Sequence, residues 1–213
     1  MTTDVRSRIA PDNALVIYPR DFGSEVGPGE LEALFLEFTS RHSDSQWQFE
    51  LGPDGEIIAM GPVSHPGGFR ENDAATDLRI WSREFGGEST GSNAFYRMPV
   101  TGGYLVPDAA WVSPQKLAAH PPVSGEPIAV CPDFVIEIRS GSDNLAPLQG
   151  KMRLYIENGA LLGWLIDPRN RRVYVYRVGQ SDPELLEDPA TLSGENLLPG
   201  FAFNVAQWIF ERT

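Results

Sequence analysis

The sequence predicts an α/β (or α+β) fold in which helices flank a mixed central β-sheet. Three observations predict it: two segments in the first half have apolar residues at helical spacing, several short strand-like segments follow, and a third helical segment lies between strands. Elements in this order are typical of helices packed on a mixed sheet.

The first predicted elements are a helix and a hairpin. Apolar residues recur at helical spacing over residues 31–38, directly after Pro28. Residues 47–51 and 56–60 each have a strand pattern, and the turn Gly52-Pro53-Asp54-Gly55 lies between them. Strands separated by such a turn indicate an antiparallel hairpin.

A second helix and the central strands come next. The helix is predicted over residues 69–85, where Gly86-Gly87 ends it. Strand-like segments follow at residues 94–98 and 104–112, and a proline-rich loop separates them from another strand at residues 134–138.

The last predicted elements are a helix and a second hairpin. The helix covers residues 148–158 and ends at Gly159, and strands at 162–167 and 172–177 pair around the turn between them. We expect one domain over residues 28–213, preceded by an N-terminal extension, residues 1–27, that is partly ordered at best.

The composition bounds the class of protein. No apolar run approaches the ~18 residues that a membrane span needs, so we expect no membrane association. The single cysteine, Cys131, excludes an internal disulfide framework and a multi-cysteine zinc site. The N-terminus has no secretory signal pattern, and we therefore expect a cytoplasmic protein.

The charge distribution weighs against a surface that binds nucleic acid everywhere. The formal net charge is −12 and the pI is about 4.6, whereas phosphate contacts need Lys and Arg. The cations crowd residues 139–177, which leaves two interpretations open: a local basic groove or ordinary solvated surface.

Two carboxylates lie in segments that otherwise have the pattern of buried strands. Asp108 follows Pro107 next to Ala109, and Glu137 lies within residues 134–138, among Phe, Val and Ile. A charged carboxylate in such surroundings is costly unless something compensates it. A divalent cation would compensate both, so the pair predicts a metal site.

The order of these segments resembles the Uma-two family of restriction-endonuclease-like proteins, a bacterial branch of the PD-(D/E)xK nuclease superfamily. The resemblance covers roughly residues 45–178. It rests on the segments 49–51, 54–56, 107–113, 132–138, 151–155 and 164–168. Each segment alone is unspecific, but their order and spacing together are fairly specific.

The resemblance implies a restriction-endonuclease-like core and a Mg²⁺- or Mn²⁺-dependent endonuclease that acts on DNA. Asp108 and Glu137 would bind the metal, with the Ile138 carbonyl as a third ligand, and Glu50 would complete the acidic cluster. A hard cation suits this chemistry because it relieves charge on the phosphate and activates water.

The lysine departs from the superfamily pattern. Arg139 stands two residues after Glu137, where the superfamily has lysine, and arginine cannot act as a base, although it can hold a phosphate. Lys151 on the next helix matches the position to which the lysine has moved in the resembled family. Lys151 would then orient or deprotonate the attacking water, or stabilise charge in the transition state.

A different class of function stays open: a degenerate nuclease fold that binds nucleic acid or protein without catalysis. Arg139 and the acidic net charge both favour that alternative. If the chain cuts both DNA strands with one site per copy, a symmetric homodimer is expected.

Two other sequence patterns could be mistaken for functional motifs. Residues 87–91 fit the G-x-S-x-G pattern of serine hydrolases, but a helix precedes them and strands follow, which reverses the required context. Asp133 also follows a proline, but a strand would place it ~13 Å from Glu137, too far to share a cation. We therefore interpret Asp133 as the first residue before a strand.

Overall fold

The computed structural model describes residues 9–11, 14–19, 26–123, 128–141 and 143–212. It confirms the predicted fold class, a mixed α/β arrangement in which helices flank multi-stranded sheets. In the described part of the chain, no helix has the length and apolar character to cross a membrane.

Three helices match the predicted ones, although two of them begin earlier than predicted, and a short additional helix lies between the second and the last. They are α1 (Pro28–Arg41), α2 (His65–Phe85), α3 (Pro114–Ala119) and α4 (Leu145–Glu157). Helix α2 begins four residues earlier than predicted, because the Ser64 hydroxyl caps it by accepting a hydrogen bond from the Gly67 N–H. It ends at Gly86, whose φ of 92° suits glycine.

The strands of the first half of the chain are short. They are β1 (Leu15–Ile17), β2 (Gln48–Leu51), β3 (Ile57–Met60), β4 (Glu88–Gly91), β5 (Tyr96–Arg97) and β6 (Tyr104–Leu105). All except β4 form a five-stranded antiparallel sheet in the order β1-β3-β2-β6-β5. The predicted hairpin is its centre, where Leu51 lies opposite Ile57.

The second half of the chain supplies the larger sheet. Its strands are β7 (Ala109–Val112), β8 (Phe134–Ile138), β9 (Leu162–Asp167), β10 (Arg172–Arg177), β11 (Glu184–Glu187), β12 (Leu192–Ser193) and β13 (Ala202–Phe203). The order β11-β10-β9-β8-β7-β4 makes a mixed six-stranded sheet, in which β8 and β9 are parallel and α4 connects them. Strands β12 and β13 pair separately.

The segment predicted as one strand over residues 104–112 is two strands in different sheets. Strand β6 belongs to the five-stranded sheet and β7 to the six-stranded one, with Val106, Pro107 and Asp108 between them. Proline cannot donate a ladder hydrogen bond, so the break falls at Pro107. The crossing brings Asp108 to the junction of the two sheets.

Side chains alternate between the two faces of the larger sheet and so contribute to two separate hydrophobic cores. Trp111 and Ile136 pack with α2 and the C-terminal segment, which ends in a π-helical turn, Ala206–Phe210. Val112 and Val135 point to the other face, toward α4 and the smaller sheet. Glu137 lies two residues after Val135 and therefore shares the face that α4 covers.

Part of the predicted N-terminal extension contributes to the fold. Ile9 is buried in the core beside α4, and β1 adds an edge strand to β3. The rest of the predicted extension, residues 1–8, 12–13 and 20–25, lies outside the described residues. The domain boundary at residue 28 stays a prediction.

Candidate active site

Three of the sequence-predicted residues meet in one buried ionic group. Lys151 Nζ on α4 lies 2.7 Å from Glu50 Oε1 on β2 and 2.9 Å from Glu137 Oε1 on β8. All three side chains are at most 6% exposed. The ammonium also donates to the Val106 carbonyl at 2.9 Å, and the Val106 N–H donates to Glu50 at 2.8 Å.

The strand and helix periodicities explain how these side chains reach the buried ionic group. Phe49 and Leu51 pack with α1, so Glu50 between them points to the opposite side of β2, toward α4. On α4, Lys151 and Tyr155 are one turn apart and share a face. Tyr155 donates a hydrogen bond to Glu137 Oε1 at 3.0 Å.

Asp108 joins this group from the position just before β7. Its Oδ2 accepts a hydrogen bond from the Ile138 N–H at 2.6 Å. Ala109 lies opposite Ile136, so continuing the antiparallel register puts Asp108 opposite Glu137. Thus Asp108 and Glu137 lie next to each other at the edge where the two sheets meet.

Burial and the crowding of acidic groups raise the pKa values of the carboxyls at this centre. Burial raises the pKa of Glu137 to about 7, although Lys151 acts to lower it. Burial, and then the charges of Glu137 and Glu71, raise the pKa of Asp108 well above its usual range. Burial alone would lower the pKa of Lys151, but Glu137 and Glu50 more than offset it and raise that pKa. Lys151 therefore stays protonated at neutral pH.

Glu71 is a member of this group that the sequence analysis did not find. It lies on α2, where burial raises its pKa, while a hydrogen bond from Ser92 and the charge of Lys151 lower it. Because Glu71 also acts on Asp108, four carboxylates share the field of Lys151. Its neighbours Arg70 and Asn72 are polar, so the sequence pattern is that of an ordinary solvated helix.

A cleft borders this group at Glu71. A cavity of about 540 Å³ lies between α2 and the segment after β4, and Glu71, Gly91 and Ser92 line it. A Cβ on Gly91 would lie 4.0 Å from the Asp108 carbonyl oxygen, so the wall of the cleft is the backbone beside Asp108.

Two carboxylates of this group, Asp108 and Glu137, are the ones that could hold a hard divalent cation. Glu50 Oε2 is buried and, among the described residues, has no hydrogen-bond partner. Within that same part of the chain, no three His, Cys, Asp or Glu side chains are grouped closely enough to hold a metal. Mg²⁺ needs only one or two carboxylates because it keeps several waters, so Asp108 and Glu137 suffice.

Arg139 lies close to the group in sequence but has other partners. Its guanidinium pairs with Asp167 Oδ2 at 2.7 Å and donates to the Asp143 carbonyl at 2.8 Å. These contacts hold the turn after β8. A phosphate contact by Arg139 stays a prediction.

Three other cations of residues 139–177 are engaged in ion pairs. Arg171 pairs with Asp188, Arg172 with Glu187, and Arg177 with both Glu184 and Glu195. These acidic partners lie on or beyond β11, after the basic segment. The pairing favours solvated surface over a basic groove in this segment.

Asp133 lies at the amino end of β8, where its interpretation as a pre-strand residue fits its contacts. It pairs with Lys116 Nζ at 2.9 Å and accepts a hydrogen bond from the Ser113 N–H at 2.7 Å. The G-x-S-x-G segment forms the edge strand β4 after α2, which is the reversed context expected from the sequence.

The fold and the match to a family model together place this chain among the restriction-endonuclease-like proteins. The chain belongs to the Uma2 family, which is described as "Putative restriction endonuclease" and whose match covers residues 33–206. This membership confirms the resemblance found in the sequence.

A solved structure supports the fold. The chain is similar to a protein from Anabaena variabilis ATCC 29413 that is described as "a putative nuclease belonging to DUF820". The TM-score is 0.63 at 18% identity, and the match covers 76% of this chain and 89% of the other. Among curated proteins, no relative matches.

Proposed function

We propose that this chain is a Mg²⁺- or Mn²⁺-dependent endonuclease that hydrolyses DNA phosphodiester bonds. The observation that carries the proposal is the buried excess of carboxylates around Asp108 and Glu137, with raised pKa values and an open cleft beside them. Structural acids are normally neutralised, so an excess of this kind is typical of a functional site.

Asp108 and Glu137 would hold the cation, and the Ile138 carbonyl would supply a third oxygen. A divalent cation in that position would polarise the phosphate and lower the pKa of a water ligand. The Ile138 N–H donates to Asp108 Oδ2 and Tyr155 donates to Glu137 Oε1, so both carboxylates are held in one orientation. Such fixed ligands reduce the cost of assembling the site.

Lys151 would act as a fixed positive charge rather than as a base. Its pKa is raised, so the ammonium keeps its proton at neutral pH and can stabilise negative charge on the phosphate. Glu50 pairs with Lys151 as Glu137 does and helps to fix the position of the ammonium. Arg139 is a proposed phosphate contact only if its pairing with Asp167 opens.

One observation favours the second candidate, a nuclease-fold module without catalysis. Lys151 already bridges Glu50 and Glu137, so it neutralises part of the charge that would attract a metal. A non-catalytic module would tolerate replacement of Asp108 and Glu137, whereas a nuclease would not. A homodimer is proposed for the nuclease alone, because two sites are needed to cut both strands.

The test is cleavage of supercoiled plasmid by purified protein with Mg²⁺, with Mn²⁺ and with chelator. Wild-type protein should nick DNA only with metal, and Asp108→Ala and Glu137→Ala should lose that activity. Asp133→Asn, a buried carboxylate outside the group, is the matched control and should still nick. Absent nicking, or nicking that the two variants retain, would refute the proposal and favour the binding module.

A further inference from the structure

A second cavity, distinct from the cleft at Glu71, opens beside the carboxylate group. Its volume is about 1000 Å³, at the upper end of the roughly 300–1,000 Å³ range of small-molecule sites. It lies between the C-terminal end of α1, strand β2 and the segment around Phe95. We call it the aromatic groove.

The walls of the aromatic groove are aromatic and polar. Trp47, Phe49, Phe95 and Tyr104 supply rings. Trp47 is 51% exposed, although it borders a cavity. The polar groups include the side chains of Gln48 and Asn93 and several serines of residues 40–45. Flat rings together with amide and hydroxyl groups match a nucleobase, which has two π-faces and a hydrogen-bonding edge.

The charge of the groove differs from that of the whole chain. The chain has 29 acidic residues, yet none of the described residues that line the groove is Asp or Glu. His42 and Arg97 line it instead, and Arg97 pairs with Glu32 at 3.2 Å. A groove without carboxylates in an acidic protein is a surface that an anionic strand can approach.

The groove is continuous with the candidate active site. Ser92 and Asn93 line both this groove and the cleft at Glu71. Val106 lines the groove, and its backbone contacts both Lys151 and Glu50. A strand that places a phosphate in the cleft would therefore have its neighbouring nucleotide at the groove.

We infer that the aromatic groove binds an unpaired base of a DNA strand by stacking on Trp47, so that the substrate is single-stranded or locally unwound DNA. This inference rests on the proposed nuclease function, because the strand enters through the cleft of that site. Stacking of a base on an aromatic ring contributes about 1–3 kcal/mol and is open to every base, because each has a π-face. A paired base in a duplex keeps both faces covered by its neighbours and cannot stack on the ring.

The test is equilibrium binding, which separates this site from catalysis. Fluorescence anisotropy is measured with labelled oligothymidylate and with a duplex of equal length, in chelator and in the Glu137→Gln background. We expect the single strand to bind at least about tenfold more tightly than the duplex. Trp47→Ala should weaken single-strand binding about tenfold or more, whereas Trp47→Phe should retain most of it.

The control is Phe85→Ala, which removes an aromatic ring of similar exposure that does not line the groove. It should leave binding unchanged. Equal affinity for the duplex, or an unchanged affinity in Trp47→Ala, would overturn the inference. Nicking is measured separately, with Mg²⁺ and without the Glu137→Gln change. Single-strand binding by a protein that does not nick would refute only the nuclease, and nicking that Trp47→Ala leaves intact on all substrates would refute only the groove.

Discussion

The two ends of β8 differ in how their acidic side chains are paired with cations. At the amino end, Asp133 has one cation, Lys116, and its second oxygen accepts a backbone N–H. At the carboxyl end, Glu137 shares its cation, Lys151, with Glu50 and lies beside Asp108. The acid at one end has its own cation, whereas several carboxyl groups at the other end share one.

The acid at one end of the strand supports the fold, whereas the acid at the other end has the proposed function. A buried acid that only supports the fold is matched by a partner, because an unmatched charge is costly. The excess at Asp108 and Glu137 lowers stability and is tolerated because, as we propose, a divalent cation offsets it. Substitutions at either end of β8 test this contrast.

The largest expected effect is on activity at the charged end. Glu137→Gln removes a proposed metal ligand while keeping the side-chain shape, and should lower the nicking rate by about three orders of magnitude, or roughly 4 kcal/mol. The rate is measured by plasmid nicking under saturating Mg²⁺. Activity within tenfold of wild type would contradict the role of Glu137.

The next effect is a pH dependence of stability in metal-free protein. The pKa of Glu137 is about 7 in the folded state against 4.5 for an ordinary Glu, so between these pH values the folded chain holds a proton that the unfolded chain has lost. The free energy of unfolding should therefore fall as pH rises through this range, by about 3 kcal/mol from Glu137.

Urea denaturation at several pH values in chelator measures this slope. Glu137→Gln should reduce the slope, and Mg²⁺ should flatten it because the cation favours the charged carboxylate. A stability that rises with pH over the same range would contradict the excess of negative charge.

Lys151→Met should lower the nicking rate about a hundredfold, because it removes a fixed charge that would stabilise the phosphate. It also leaves Glu50 and Glu137 without their shared cation, so metal should stabilise this variant more than wild type. Thermal melting with and without Mg²⁺ measures the second effect. Wild-type nicking by Lys151→Met would show that the ammonium is only structural.

Asp133→Asn should affect stability rather than chemistry. It leaves Lys116 with two carbonyl partners but without its counter-ion, and Lys116 is partly exposed, so we expect a loss of about 2 kcal/mol. Urea denaturation measures it. If folded Asp133→Asn protein nicks much more slowly than wild type, the contrast between the two ends fails.

The smallest effect is expected from Tyr155→Phe. The variant loses one hydrogen bond to Glu137, which costs about 1 kcal/mol, and should slow nicking by up to about tenfold. Because that bond lowers the pKa of Glu137, the pH at which stability falls should move upward. An identical pH profile would show that Tyr155 does not act on Glu137.

Sequence reasoning could find the carboxyl end of β8 because its residues break a strong pattern. Asp108 and Glu137 are charged residues in apolar strands, which one sequence shows directly. Glu50 and Lys151 came only from the family resemblance. The fold class followed from helical and strand periodicity, and the structure confirms it.

Other features depend on tertiary contacts that periodicity does not encode. Glu71 lies in a polar stretch of α2 and becomes notable only where it meets Asp108. The break at Pro107 was missed because residues on both sides of it are apolar. The pairing of Arg139 with Asp167 joins the turn after β8 to the end of β9, and the pattern of charges in the sequence cannot identify such a pair.

The most direct test of the central contrast is calorimetric titration of Mn²⁺ into wild-type, Glu137→Gln and Asp133→Asn protein. We predict a site that wild type and Asp133→Asn share and that Glu137→Gln loses. Binding that is absent from wild type, or that Glu137→Gln retains in full, would contradict the claim that the charged end of β8 is a cation site.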